Sequence, residues 1–318
     1  MASTTGLQVW LPIEDGLERV GVLEVQCDRL DAPTLLLCRS LAELLALIIG
    51  SKENISDLYT QVRRLQPMRL PAEMVWAFLP PRTLGVPGVI STAVVEPAYD
   101  LGGDAFDHCV LDGMLHATIL DAMGHDLLAG LTSAVALAGC RNSRRAGADL
   151  ARLTEVVDTA ISESFPDRYC TGVFAHLDIR TGELTWTNCG HPIPLLIRGQ
   201  RLVRGALDRP AEPPLGLGDL LEGPRTVHRC RLRPQDRVLF YTDGVIEARS
   251  DSGEPFGLDN FTEYLIRATA AGEPAYEVLR RLIHAILARH RQRLIDDATI
   301  MLVEWQPGSD HPPTVPVL

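Results

Sequence analysis

The chain has 318 residues, 46% of them hydrophobic, and a formal charge of −11. That length and composition supply a sizeable core, in one large domain or two modest ones. The acidic balance excludes nucleic acid as the main partner, because a phosphate backbone needs a basic footprint. In chain order, the first thirty residues read as two strands, near Leu7–Pro12 and Val20–Gln26, joined by a turn-like EDG. A long helix is then expected from a cap at Asp31, with Pro33 in its first turn, to about Leu65, where Pro67 stops it. Along it Leu41, Ile48, Ile55 and Val62 recur every seven residues, as do Leu44, Ser51, Leu58 and Leu65. Seven of these eight positions are apolar, the pattern of a dimeric coiled coil. One amphipathic helix packed on its own domain is the alternative.

Residues 67–87 read as a proline-rich connector anchored by Trp76, Phe78 and Leu79. Strands follow at Val89–Val95, Ala105–Leu111 and Leu115–Asp121, then helices near His125–Arg145 and Leu150–Phe165. Strands return at Thr171–Asp178, Leu184–Asn188, Pro194–Ile197, Thr226–Leu232 and Arg237–Tyr241. Two further helices, Leu258–Ala268 and Ala275–Arg291, precede a last strand at Ala298–Trp305, and residues 307–318 read as a disordered tail. Hairpin-linked strands alternating with helix pairs imply an α+β fold of antiparallel sheets with helices outside.

Seven cysteines stand singly, which suggests reduced thiols and a reducing compartment and disfavours a zinc site. The N-terminus lacks a secretory pattern. The most apolar run, APTLLLCRSLAELLALIIG, carries Arg39 and Glu43, which argues against a membrane span. A cytoplasmic location is the expectation. Basic clusters at Arg141, Arg144 and Arg145 and around Arg289–Arg293 read as solvated helix ends.

Four acidic stretches share one grammar: GGDAFD (Asp104, Asp107), LDAMGHD (Asp121, Asp126), YTDGVIE (Asp243, Glu247) and IDDATI (Asp296, Asp297). Each places aspartate at the edge of an apolar strand beside glycine or another small residue. A single such aspartate is usually a turn or cap residue. Four of them, if their strands adjoin, would repel unless cations compensate. Oxygen-only ligands select hard ions such as Mg²⁺ or Mn²⁺.

In order, GGDAFD, DAMGH, TGVFAHLDIRTGELTWTNCGHPIPLL, YTDGVIE and DDAT resemble the PPM (PP2C-like) serine/threonine phosphatases. More narrowly they resemble the bacterial branch of SpoIIE and RsbU, regulators of sigma-factor partner switching. The resemblance spans about residues 88–305 and implies an αββα sandwich with a two-metal site at one end, in a phosphatase domain over 88–306. Residues 1–66 resemble, more weakly, the closing half of a GAF-type sensor domain running into a signalling helix.

The resemblance implies Asp104 and Asp121 as ligands near a bridge between two Mn²⁺ or Mg²⁺ ions, with the Ala122 carbonyl as a further ligand. Asp243 and Asp296 would complete the second ion, and Asp297 would support the ligands or cap the turn. Asp107 is implied as a supporting or third-ion group. Asp126, where the family often has glycine, suits a helix start and reads as structural. Two such ions, if bound, would activate water near neutral pH for in-line attack on phosphorus. His125 and His191 each follow glycine, and a backbone-bonding role is preferred for both. The loop Gly205–Pro224 is the expected site of substrate choice. The implied substrate is a phosphorylated STAS-type anti-sigma-factor antagonist, and the implied assembly a homodimer through the N-terminal helix. A catalytically silent phosphatase fold that sequesters a regulatory partner is the competing function.

Overall fold

The computed structural model describes residues 7–15, 18–53, 55–64, 67–96, 102–247, 257–270, 278–279, 281–282 and 297–308. The chain divides into two compact units, Met1–Pro67 and Met68–Leu318.

In the first unit β1 (Leu7–Asp15) and β2 (Glu18–Cys27) form an antiparallel hairpin. Helix α1 (Ala32–Glu53) follows. Asp31 caps it as expected: its carboxylate accepts from the Thr34 amide at 3.0 Å and the Thr34 hydroxyl at 2.6 Å. The core is small. Ile13, Ala42 and Ala46 are buried, with Val20, Leu23, Leu45 and Ile49 packed against them. Much of the rest of the helix is apolar and exposed, including Leu37, Leu41, Leu44, Leu47 and Ile48. By length and composition Ala32–Lys52 could cross a bilayer, with a mean hydropathy of 1.8. The predicted unbroken helix to Leu65 is corrected. Helix α1 ends at Glu53, and a separate short helix, α2 (Leu58–Arg63), follows. The intervening Asn54, Ser56 and Asp57 favour caps and turns over helix interiors, and Ser56 Oγ accepts the Leu58 amide at 3.3 Å.

The second unit begins inside the predicted connector, which is not a bare linker. It holds helix α3 (Leu70–Phe78), with Pro71 in its first turn and Ala72 and Val75 fully buried, and strand β3 (Thr83–Val86). Strands β4 (Val89–Glu96), β5 (Asp104–Leu111) and β6 (Met114–Ala122) lead to helices α4 (Leu127–Arg145) and α5 (Leu150–Ser164). Then come β7 (Cys170–Asp178), β8 (Glu183–Cys189), β9 (Leu195–Arg198), β10 (Arg201–Leu202), β11 (His228–Arg231) and β12 (Arg237–Tyr241). The short α6 (Asp243–Glu247), α7 (Leu258–Ala270) and β13 (Ala298–Trp305) complete the described elements. Most of the predicted helix Ala275–Arg291 lies outside the described residues, as do residues 309–318.

The strands form two antiparallel sheets, ordered β10-β9-β12-β13-β4-β3 and β11-β8-β7-β6-β5. They lie face to face. Leu115, Ala117, Ala175, Leu177 and Leu184 of the five-stranded sheet and Val238, Phe240 and Val303 of the six-stranded sheet line one void of about 10 Å³ between them. Phe106 and Phe174 are buried at 1% exposure, and burial of a side chain this size is worth about 1.5–3 kcal/mol. Helices α4 and α5 cover the outer face of the five-stranded sheet. On the outer face of the other, Leu239, Tyr241, Ile300 and Leu302 pack with Phe261 of α7. The result is the four-layer αββα sandwich that the family resemblance implied.

Candidate metal centre

Strand β5 starts at Asp104 and β6 ends at Asp121–Ala122, and the antiparallel register sets Asp104 directly opposite Asp121. Partners in such a register share a face of the sheet. Asp104 is buried at 2% exposure and Asp121 is half-buried. Burial, then the Asp121 charge, then the Asp297 charge, push the Asp104 carboxyl well above its usual range.

Two hydroxyls oppose that shift. Thr299 Oγ1 donates to Asp104 Oδ2 at 2.6 Å and Thr242 Oγ1 donates to the same oxygen at 2.7 Å. Thr242 Oγ1 in turn accepts the Thr299 amide at 2.8 Å, and the Thr242 amide donates to the Thr299 carbonyl at 3.0 Å. These threonines sit at the ends of β12 and β13 in the six-stranded sheet, so Asp104 is where the two sheets meet. The sequence reading missed both. Each lies within two residues of an acid it had singled out, inside YTDG and DDAT.

Asp297 supports this arrangement as the resemblance implied. Its Oδ2 accepts three successive amides, Gly102 and Gly103 at 2.7 Å and Asp104 at 3.3 Å. Three amides converging on one oxygen are an anion nest closed by the chain's own carboxylate. Asp243 follows Thr242 directly. It opens α6 and is half-buried, so the acid at the tip of β12 stands at a helix start. Asp296 lies outside the described residues.

Glycine is required here by close approach. A Cβ on Gly103 would collide with the Ala122 carbonyl oxygen, and one on Gly102 with the His125 backbone. The Ala122 amide donates to the Gly103 carbonyl at 3.3 Å, and Ser133 Oγ donates to that same carbonyl.

Asp107 is not part of the centre, which corrects its assignment as a supporting or third-ion group. It lies three positions beyond Asp104 and so on the opposite face of β5. There, buried at 2% exposure, it accepts from Arg141 Nη2 at 2.8 Å and Arg144 Nη1 at 2.6 Å. These arginines are therefore not solvated helix ends. Asp126 is the N-cap of α4, its Oδ1 accepting the Ala129 amide at 2.9 Å. His191 is buried. Its amide donates to Asn188 Oδ1 at 2.8 Å, its carbonyl accepts from Asn188 Nδ2 at 2.8 Å, and Nδ1 pairs with Thr171 Oγ1 at 2.8 Å. Thr171 is the register partner of Asp121. Burial pushes the His191 imidazole down to about 3, so it is neutral and structural at physiological pH. His125 is exposed on the turn after Ala122.

The loop expected to choose substrate is pinned to the five-stranded sheet and to α5 from Glu212 onward. Leu215 pairs with Cys170 at the start of β7, and the Glu212 amide donates to the Asn188 carbonyl at 3.3 Å. Asp158 of α5 anchors it, accepting the Gly216 amide at 3.0 Å, the Gly218 amide at 3.2 Å and Arg225 Nη2 at 2.9 Å. A cavity of about 580 Å³ opens between α5 and this loop.

Among the described residues no three acidic, histidine or cysteine side chains form a ready cage for a metal ion. The donor chemistry nonetheless fits a hard cation. Every candidate donor is an oxygen, and the central carboxylate faces a like charge across one rung of the sheet, a repulsion that a divalent ion relieves.

The comparisons agree with this fold. The family model "Stage II sporulation protein E (SpoIIE)" matches residues 112–306. The chain is 25% identical over 154 residues to phosphoserine phosphatase RsbP of Bacillus subtilis, covering 46% of this chain and 37% of RsbP. It spans well under half the length of the curated relatives it matches. The solved RsbU and RsbW domains of Rv1364c from Mycobacterium tuberculosis align with a TM-score of 0.60 at 25% identity, over 73% of this chain and 63% of that one. The SiaA-PP2C domain of Pseudomonas aeruginosa shares the fold, with a TM-score of 0.59 at 17% identity over 68% of this chain and 86% of that one. With a PP2C-like sandwich, acids gathered at one sheet end and a family match over well above half its length, the chain belongs to the Stage II sporulation protein E (SpoIIE) family.

Proposed function

We propose that this protein is a divalent-metal-dependent serine/threonine phosphatase that acts on a phosphorylated regulatory protein of sigma-factor control, in the first instance a STAS-type anti-sigma-factor antagonist. The observation that carries the reading is the opposed pair Asp104 and Asp121, the first of them fixed at the seam of the two sheets by Thr242 and Thr299. The name of RsbP, a phosphoserine phosphatase, supports the reaction class.

Asp104, Asp121, the Ala122 carbonyl, Asp243 and Asp296 would hold two Mn²⁺ or Mg²⁺ ions. Such ions, when bound, activate water for in-line attack on phosphorus and offset charge on the phosphoryl oxygens. The chain's own residues pre-set that site. Thr242 and Thr299 fix the Asp104 rotamer, Asp297 holds the Gly102–Asp104 backbone, and neutral His191 braces Thr171 beside Asp121. No side-chain nucleophile is required. The anchored loop at Glu212–Gly218 borders the start of β7 and the end of β8, near this end of the sheet, and is suited to read the protein around the phosphoserine. Seven free cysteines suit a reducing cytoplasm. The exposed apolar seam of α1 suits a homodimer.

The test is hydrolysis of p-nitrophenyl phosphate with and without Mn²⁺, comparing wild type with Asp243→Asn. Manganese-dependent turnover that the substitution abolishes is expected; turnover independent of both overturns the reading. Incubation with phosphorylated candidate antagonists, followed by mass spectrometry, then identifies the substrate.

A further inference from the structure

The turn Ala122–Asp126 links the end of β6 to α4 and carries the carbonyl of Ala122. One side of it rests on Gly102 and Gly103, where no Cβ fits. The other side rests on the connector between α5 and β7. The Met123 amide donates to the Tyr169 carbonyl at 3.1 Å, and the Met123 carbonyl accepts from Arg168 Nη1 at 3.0 Å. Both backbone groups of Met123 are therefore held by residues 168 and 169. Gly124 has φ +91°, and a Cβ there would come within 3.2 Å of Arg168 Nη1, so glycine lets the guanidinium lie against the turn. Arg168 Nη2 continues to Asp126 Oδ2 at 2.7 Å, while Asp126 Oδ1 caps α4. The Arg168 carbonyl itself lies beneath Gly216 of the anchored loop.

From this geometry we infer that Arg168 is a positioning residue: it clamps the Ala122–Asp126 turn against Gly102–Gly103 and so fixes the Ala122 carbonyl and the Asp121 backbone for the metal ions. The inference rests on the metal-dependent reading above. Arg168 touches no reacting atom, and its effect passes through Met123. Magnitudes decide which of its two bonds matters. The Asp126 side chain is 50% exposed, and an ion pair so placed contributes little. The bond to the Met123 carbonyl is partly buried and sits one residue from the proposed ligand. Lysine has no planar fork to serve both partners, so the Asp126 carboxylate competes with the Met123 carbonyl for its ammonium.

The experiment is Mn²⁺ titration by calorimetry on the full chain, for wild type, Arg168→Met, Arg168→Lys and Asp126→Asn, with thermal unfolding of each metal-free protein. Arg168→Met should weaken Mn²⁺ binding about tenfold or more, the scale seen when groups that orient metal ligands are removed. Arg168→Lys should fall between it and wild type. Asp126→Asn, which leaves the Met123 bond in place, should weaken binding less than Arg168→Met. At saturating Mn²⁺ the variants should recover kcat to within about twofold, because the defect lies in holding the ion. Wild-type affinity in a folded Arg168→Met protein overturns the inference, as does a lowered unfolding temperature with Kd unchanged. If Arg168→Met does not fold, wild-type affinity in Arg168→Lys overturns it equally. Absence of Mn²⁺ uptake by wild type removes the functional reading and this inference together, so the two failures are distinguishable.

Discussion

Asp104 and Asp121 face each other across one rung between β5 and β6, with the first of them buried. Two carboxylates so placed oppose folding until a cation sits between them. Asp121→Asn should therefore raise the unfolding temperature of the metal-free protein by a few degrees, about 1 kcal/mol in a domain of this size. Mn²⁺ at 100 times Kd should stabilise wild type by about 2.7 kcal/mol and the variant hardly at all. Thermal scans with and without Mn²⁺ decide it, and equal manganese shifts in both proteins count against the site.

Thr299→Val and Thr242→Val each remove one hydroxyl from the Asp104 carboxylate. Each should cost about 1–3 kcal/mol, the penalty for leaving a buried acceptor short of a donor. Each should also weaken Mn²⁺ binding about 10–100-fold. Thr→Ser at either position keeps the hydroxyl and should recover most of the affinity, which calorimetry can measure.

Asp107 makes the contrasting case. Asp107→Asn unbalances a buried carboxylate shared by Arg141 and Arg144 and should destabilise the fold by about 3 kcal/mol in urea unfolding. Its Mn²⁺ affinity should stay within about twofold of wild type. A large affinity loss without a stability loss would return Asp107 to the metal centre.

His116 and His176 stack edge to face at 4.2 Å across β6 and β7. Burial first, then the Arg144 charge, brings His116 down to about 4; burial first, then His116 and Arg144, brings His176 to about 4. The neutral imidazole is favoured in the fold, so the unfolded chain binds more protons between its own pKa of about 6.5 and the folded value. Stability should therefore fall as pH drops from about 6.5 towards 4. Urea midpoints measured across that window should decline less steeply for His176→Gln than for wild type.

Leu41, Leu44 and Ile48 are exposed along α1 at heptad spacing. Ile48→Glu should convert a dimer to a monomer in sedimentation, with p-nitrophenyl phosphate turnover per chain nearly unchanged. A wild-type mass already monomeric at micromolar concentration disposes of the seam.

The strands were legible because apolar residues alternate or run together between glycine and aspartate punctuation; β4, β12 and β13 fall where that pattern places them. Asp126 was legible as a cap because a short carboxylate before an apolar helix has one common use. What misled was treating acids as a class. Alternation along β5 already puts Asp104 and Asp107 on opposite faces, so the sequence held the signal that separates them. The threonines were passed over because a hydroxyl advertises its partner only when the partner strand is known, and Thr299 stands 195 positions from Asp104. The break after Glu53 was written in Asn54, Ser56 and Asp57, but the heptad count ran across it. Helix α3 hid in a proline-rich stretch because Pro71 reads equally as a linker residue or a first-turn residue.

Strand β13 lies between β4 and β12, in the interior of its sheet, and reaches the ribosome exit after every other described strand. Asp297 and Thr299 travel with it, and both bind the segment around Asp104. A nascent chain halted before residue 297 thus lacks the carboxylate that fills the Gly102–Asp104 amide cradle and one of the two hydroxyls that orient Asp104, whatever else has folded. The carboxylate cluster around Asp104 therefore closes only after residue 299 has been made, through contacts among the most non-local of the described residues, the class of contact that forms slowly.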